Sequence, residues 1–316
     1  MKKRYLVVML ILLSFVSLFV GVTNISPFDL FRFDDHQTQI FWQSRVPRLI
    51  SILMAGVTLS ISGFIMQQLS RNKFVSPTTA GTMDSARFGI LISLIVFTSA
   101  SPIEKMIVAF IFSLAGTFLF MKILDRIKMK DPIFIPLVGL MFGNIISSIT
   151  TFFAYKHDLI QNMSAWLQGD FSMITAGRYE MLYISIPLVV IAYIFADKFT
   201  IAGMGEDFAR NLGLNYKQAV NIGLVIVALS TTLVVLTVGL IPFLGLVVPN
   251  IVSIYKGDNL KNSLSDTALL GAVFILFCDI LGRILIFPYE IPIGLTVGVI
   301  GSGLFIYLLM RRRDYA

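Results

Sequence analysis

Cysteine and histidine are nearly missing from this chain: Cys278 and two histidines, His36 and His157, stand among 316 residues. A lone thiol forms no internal disulfide, and two histidines in separate polar segments make no metal-ligand pattern. Neither a covalent staple nor a metal centre is therefore expected. Charge is scarce as well, with Asp, Glu, Lys and Arg together at 14% of the chain. No GxxxxGK[ST] phosphate loop occurs, so hydrolysis of a nucleotide by the chain itself is not expected. Long polar stretches are few. The longest are 22–48 and 155–180, too short for an appended soluble domain. The basic start Met1-Lys2-Lys3-Arg4 opens an apolar run, but no small-x-small cleavage site follows it, which predicts an uncleaved first span.

What remains is apolar. Hydrophobic residues make up 56% of the chain and the mean hydropathy is +0.85, values of a polytopic membrane protein. A bilayer core of about 30 Å takes about 20 helical residues. That ruler yields ten candidate spans: Tyr5–Gly21, Leu49–Leu69, Thr79–Thr98, Ile103–Leu124, Ile133–Ala154, Met181–Ala196, Gln218–Gly239, Ile241–Tyr255, Thr267–Ile286 and Ile293–Met310. The eighth is short and carries Pro242 and Pro249, which reads as a broken or re-entrant helix. The expectation is an all-α fold, one transmembrane domain over 1–316.

Most of the 25 basic residues fall in alternate connections, including Lys2, Lys3, Arg4, Arg71, Lys73, Lys128, Lys130, Lys198, Lys256 and Arg311–Arg313. That bias predicts both termini in the cytoplasm and an even number of spans. The net charge of +7 is then topological, and nucleic acid is not implied. Trp42 and Trp166 fall in outer segments, where interfacial aromatics belong.

One inner segment differs from a plain connection. Gly203–Leu214, GMGEDFARNLGL, is bracketed by glycines. Gly205 starts a turn, Glu206 and Asp207 suit a helix N-terminus, and Gly213 suits a left-handed end. Glu206 and Arg210 are four apart, as are Phe208 and Leu212, giving a charged face and an apolar face. This predicts a short amphipathic docking helix within a cytoplasmic segment over 203–217; the alternative is a solvated loop.

Within the spans, Asn144, Ser147, Ser148 and Thr151 fall at i, i+3, i+4 and i+7. Such a stripe lines a hydrophilic path or joins two helices. The near-membrane acids are few, and two have a base one turn away: Asp84 with Arg87, and Asp279 with Arg283. Internal pairing is the expectation for both. An ion-coupled carrier would instead use an acid such as Asp84 or Asp279 as a relay. Gly139 with Gly143, and Gly294 with Gly298, read as close helix crossings.

Several motifs in fixed order now converge. RVPR (Arg45–Arg48), AGVTLSISGFIMQQLSRNKFVSPTTAG (Ala55–Gly81), the glycine-bracketed segment, GLIPFLGLVVPNI (Gly239–Ile251), LLGAVFILFCDILGR (Leu269–Arg283) and YEIPIGLTVGVIGSGLFIYLL (Tyr289–Leu309) resemble the permease subunits of binding-protein-dependent ABC importers of iron-siderophores, haem and cobalamin. QQLSRNKFVSPTTAGTMDSARFG and WLQGDF resemble most the Gram-positive catecholate systems of the petrobactin type. The resemblance spans nearly the whole chain.

It implies a ten-helix protomer in a bacterial plasma membrane, paired with a second permease, with a heterodimer favoured over a homodimer. Two ATPase subunits would bind ATP and magnesium, and an extracellular solute-binding lipoprotein would deliver a ferric chelate. This chain would be no enzyme and would bind no cofactor. Gly205, Glu206, Ala209, Arg210, Leu212 and Gly213 match the ATPase-coupling loop. Arg45, Arg48 and Arg283 match arginines that dock the binding protein. Asn144, Ser147, Ser148, Thr151, Asp84 and Arg87 are the expected path residues. Two departures stand out: Asn250-Ile251 replaces the family's His-Ile pair, and Arg71-Asn72-Lys73-Phe74-Val75 replaces RNPLA. Asp84 and Arg87 also replace residues that are commonly small or apolar. Rival readings are a cobalamin or haem permease, an ion-coupled carrier, and a membrane scaffold or integral membrane enzyme.

Overall fold

The computed structural model describes residues 3–21, 34–97, 101–126 and 134–313, with the side chains of 165, 166 and 311–313 left aside. Lys2, Lys128, Lys130, the Trp166 indole and the side chains of Arg311–Arg313 lie outside the described residues. The chain runs through α1 (Lys3–Phe19), α2 (Asp35–Leu69), α3 (Thr82–Val96), α4 (Pro102–Arg126), α5 (Phe134–Lys156), α6 (Ile160–Leu167), α7 (Ser185–Ile194), α8 (Ala196–Gly203) and α9 (Glu206–Asn211). It continues through α10 (Tyr216–Thr237), α11 (Leu244–Lys256), α12 (Leu260–Ile284) and α13 (Ile293–Arg313). Among the described residues there is no strand.

Among the described residues, six helices are long and apolar enough to cross a membrane, and a seventh appears if the pair bent by 59° at residue 195 counts as one span. The other expected spans are shorter: α1 has 17 residues, α3 has 15 and α11 has 13. At 1.5 Å per residue, α11 rises only about 20 Å.

Local chemistry sets the ends. Asp34, Asn215 and Asn259 cap α2, α10 and α12, each accepting a backbone N–H three residues on, at 2.7, 3.1 and 3.1 Å. Gly257 closes α11 at φ 77°. The largest difference from the sequence expectation is at α2, which begins at Asp35 rather than Leu49. It passes through a π-helical turn at Phe41–Arg45 and past Pro47. Proline removes the N–H that would bond the Gln43 carbonyl, and the Ala176 amide takes that carbonyl at 3.0 Å. A contact from residue 176 thus keeps the RVPR segment helical.

α2 is the spine, packing along α10, α11 and α12. Close approach depends on small residues, as membrane helices require. Gly56 lies against the backbone of Gly271 and Ala272, where an added Cβ would come within 2.8 Å. A Cβ on Gly63 would overlap the Gly245 carbonyl of α11, the oxygen that Pro249 leaves without its helical N–H. Two apolar clusters sit along the spine. One gathers Ile52, Leu59, Val248 and Ile275; the other gathers Phe64, Met66, Phe120 and Phe199. α3 and α4 join by Thr82 and Thr117, whose hydroxyls are 2.9 Å apart.

Gly139 and Gly143 make close crossings, although their partners are a loop and a side chain. A Cβ at Gly139 would strike the Thr79 carbonyl, and one at Gly143 would lie 2.6 Å from the Asp84 carboxylate. Gly294 lies tight against the Gln168 carbonyl, whereas Gly298 has room, with Pro242 at 3.7 Å.

Candidate functional site

Functional candidates gather at three levels along α2. At its N-terminal end, Arg45, Arg48 and Arg283 converge. Arg48 bonds Asp279 at 2.8 Å and Glu290 at 2.7 Å. Arg283 holds Asp279 through Nε at 2.8 Å and again through Nη2. Its remaining N–H groups donate to the carbonyls of Ser17 and Val20 at 2.9 and 3.0 Å and to the Ser17 hydroxyl at 2.7 Å. Arg45 also donates to the Val20 carbonyl.

The expected Asp279–Arg283 pair is present, and the network around it is internal. Arg283 is 3% exposed, Arg45 8%, and the Arg48 side chain 11%. Arg48 and Arg283 share the Asp279 carboxylate, and Arg45 and Arg283 both face the C-terminal carbonyls of α1, the negative end of that helix. The arrangement ties α1, α2 and α12 together. Glu290 and Ser17 were not foreseen, because 242 residues separate Arg48 from Glu290.

At the other end of α2 lies the glycine-bracketed segment. Gly205 adopts φ 120° and Gly213 φ 74°, conformations suited to glycine. The Gly213 amide bonds the Arg210 carbonyl and the Leu214 amide bonds the Ala209 carbonyl, both at 2.9 Å. These paired bonds end α9 as a glycine-terminated turn. Glu206 and Arg210 pair at 2.5 Å. Ala209 is fully buried, while Met204, Phe208 and Leu212 are 59%, 48% and 57% exposed. The helix therefore rests on Ala209 and presents an apolar face that the described residues leave uncovered.

Beside α9 is a cavity of about 430 Å³ lined by Gln67, Gln68, Arg71, Lys73, Thr200 and Asp258, among others. Its walls knit three connections together. Lys73 bonds Asp258 and Ser253, each at 2.7 Å, and Gln68 donates to the Asp258 carbonyl at 3.1 Å. Asn250 donates to the Lys73 carbonyl at 2.7 Å. The two departures from the family motifs, Asn250 and Lys73, thus touch each other. Both were visible in the sequence, but nothing there showed their contact. The Leu260 amide bonds the Thr200 hydroxyl at 3.0 Å, and Lys261 bonds Asp197 at 2.6 Å, tying α8 to α12.

Between the ends lies the polar stripe of α5. Asn144, Ser148 and Thr151 are exposed and Ser147 is half-buried. Ser148 and Thr151 donate to carbonyls one turn back, at 2.8 and 2.9 Å. Here the structure departs from the expected Asp84–Arg87 pair. Arg87 donates to the Ser147 hydroxyl at 3.3 Å, and no ion pair joins it to Asp84. The Asp84 carboxylate instead lies over Gly143. Residues three apart on a helix are neighbours, but the closer packing at Gly143 draws the carboxylate away. Among the described residues, no three His, Cys, Asp or Glu side chains gather as a metal site.

Comparison with known proteins adds to this geometry. A model of the FecCD transport family matches residues 9–311. The petrobactin import system permease protein YclN of Bacillus subtilis (strain 168) is 69% identical over 316 residues, covering 100% of both chains. The ferric-anguibactin transport system permease protein FatD of Vibrio anguillarum is 38% identical over 295 residues, covering 93% of this chain and 94% of the relative. Among solved structures, a metal-chelate type ABC transporter in an inward-facing conformation superposes with a TM-score of 0.82 at 22% identity, covering 98% of each chain.

Proposed function

The chain belongs to the FecCD transport family, and from that premise we propose that it is the permease subunit of an ATP-driven importer of ferric siderophores, of the petrobactin or catecholate type. The observation that carries this reading is the 69% identity, end to end, to a petrobactin import permease. Two features of the fold support it. The long apolar helices suit a multi-pass membrane protein, and the uncovered apolar face of α9 suits a subunit that needs a partner there.

In this reading the chain makes ten crossings of a bacterial cell membrane with both termini in the cytoplasm. α1, α3 and α11 are the short crossings, and α7 with α8 forms one bent crossing. A second, homologous permease completes the path. Two ATPase subunits lie against residues 203–217. Met204, Phe208 and Leu212 insert into the ATPase, Glu206 and Arg210 fix the rim, Gly205 and Gly213 set the turns, and Ala209 seats the helix on the bundle. Closure of the ATPases on ATP and magnesium moves α9. The clasp of Lys73, Ser253 and Asp258, with the bonds from α8 to α12, carries that motion into α2, α11 and α12.

At the outer end, the cluster of Arg45, Arg48 and Arg283 lies just beneath the surface that meets a solute-binding lipoprotein and attracts its acidic residues. Such charge steers and orients a delivered partner more than it tightens binding. The chelate then passes along the α5 stripe.

Uptake of radioactive iron, presented on catecholate, hydroxamate and haem ligands, tests the function in cells lacking the chain and restored with it. Restored uptake of a ferric catecholate is expected. If every ferric chelate enters the deletion strain at the normal rate, with redundant importers removed, the iron-siderophore reading fails.

A further inference from the structure

Arg87 is a charged group where a bilayer tolerates none without a purpose. Ser147, which it touches, lies 13 residues from one end of α5 and nine from the other. At 1.5 Å per residue that is about 20 Å and about 14 Å. The guanidinium thus meets α5 well inside that helix, although Arg87 is only five residues from the start of α3, and in the ten-crossing reading a side chain there faces protein or a water-filled path, not lipid.

The chain balances it only in part: Asp84 attracts it through space but forms no ion pair with it. The Ser147 hydroxyl, at 3.3 Å, is a neutral partner. The Arg87 Nε is buried without a hydrogen-bond partner. Asp84, the acid one turn away, has its carboxylate over Gly143. The surface beside Arg87 is exposed and mixed, polar at Asn144, Ser148 and Thr151 and apolar at Leu140 and Ile145. Only 22% of the apolar stretch of α5 is buried, against 67% for α10. Within the exposed arc of α5, Asn144, Ser147, Ser148 and Thr151 occupy about 100° of the wheel, on the side of α3. The hydroxyl protons of Ser148 and Thr151 are committed to their own helix. Arg87, the exposed amide of Asn144 and the Ser147 hydroxyl, which accepts from Arg87 and keeps its own proton, are therefore the donors this surface offers.

We propose that Arg87, assisted by Asn144, is the anion contact of the translocation path, meeting the ionised ligand groups of a negatively charged ferric chelate in transit. The proposal rests on the reading of the chain as a ferric-chelate permease. Iron held by catecholate oxygens carries net negative charge, because the oxyanions outnumber the charge of the metal. A planar guanidinium engages paired oxygens of that kind. One such group, unsupported by a cage, gives the weak attraction a conducting path needs, strong enough to admit and weak enough to release. It also disfavours cationic chelates of the same size.

The test is radioactive iron uptake from an anionic ferric catecholate, in cells carrying the complete importer with native chain, Arg87→Gln, Arg87→Lys, or the double variant Asp84→Asn with Arg87→Gln. The amount of each chain in the membrane is measured alongside. A charged hydrogen bond lost in transit predicts a fall of about tenfold in maximal uptake for Arg87→Gln. The half-saturating chelate concentration stays put, because the binding protein sets it. Arg87→Lys recovers most of the loss, and the double variant stays as slow as Arg87→Gln. Normal uptake by Arg87→Gln overturns the proposal. So does recovery in the double variant, which would make Arg87 the internal partner of Asp84. Failure of the native chain to import any ferric chelate would overturn the function instead.

Discussion

The Arg48 level and the C-terminal end of α2, about 30 Å apart along the helix, treat their side chains in opposite ways. At the Arg48 end, charges are turned inward: three arginines, two acids and the last carbonyls of α1 satisfy one another under little exposed surface. At the α9 end, apolar side chains are turned outward, with Phe208 and Leu212 about half exposed. The first end is finished in that its charges are satisfied by groups of the chain itself. The second is unfinished in that no described residue covers its apolar side chains. In the proposed reading the first end holds the bundle together and faces the binding protein, and the second is the end the ATPases drive.

The strongest way to break this contrast is to unbalance the finished end. Asp279→Ala removes the acid shared by Arg48 and Arg283 and leaves two buried guanidiniums short of a partner. A loss of about 3–5 kcal/mol is expected, seen as a large fall in the thermal midpoint of the detergent-solubilised protein. An unchanged midpoint would show that the network does not hold α1, α2 and α12 together. Next in size is the packing between the ends. Gly63→Ala forces a methyl into the Gly245 carbonyl, and overpacking of that kind costs about 1–3 kcal/mol, measurable in the same melt.

The unfinished end should respond in function rather than stability. Phe208→Asp with Leu212→Asp leaves the stability within about 0.5 kcal/mol of native, as exposed substitutions do. Uptake of iron chelate is abolished, and co-purification of ATPase subunits is lost. Normal transport by that variant would remove α9 from the coupling role. The smallest effect belongs to the Glu206–Arg210 pair, which is exposed on both sides. Glu206→Gln costs about 0–1 kcal/mol, and transport persists at a rate near native.

Much of this was legible in the sequence, and the failures have physical causes. α9 could be read because its signals are local: two glycines, acids in the first turn and pairs four residues apart. Asp279–Arg283 could be read for the same reason. The start of α2 was hidden because Pro47 looks like a helix boundary until the Ala176 amide, far along the chain, takes the freed Gln43 carbonyl. Glu290 was hidden by sequence distance from Arg48. The Asp84–Arg87 spacing was misleading, since Gly143 opens a niche that draws the carboxylate away. Span lengths were overestimated for α11 because the turn around Pro242 is as apolar as the helix it precedes, and for α3 because Thr79–Gly81 carry no charge to mark the turn.

The central claim, that α9 faces the cytoplasm and is covered by an ATPase, has a direct test. Cys278 is buried, so it is silent toward a membrane-impermeant maleimide, and Leu212→Cys supplies a single reporter. The account predicts labelling of that cysteine in inside-out vesicles but not in intact protoplasts, and protection when the ATPase subunits are bound. Labelling from the outside, or equal labelling with and without the ATPase, would contradict it.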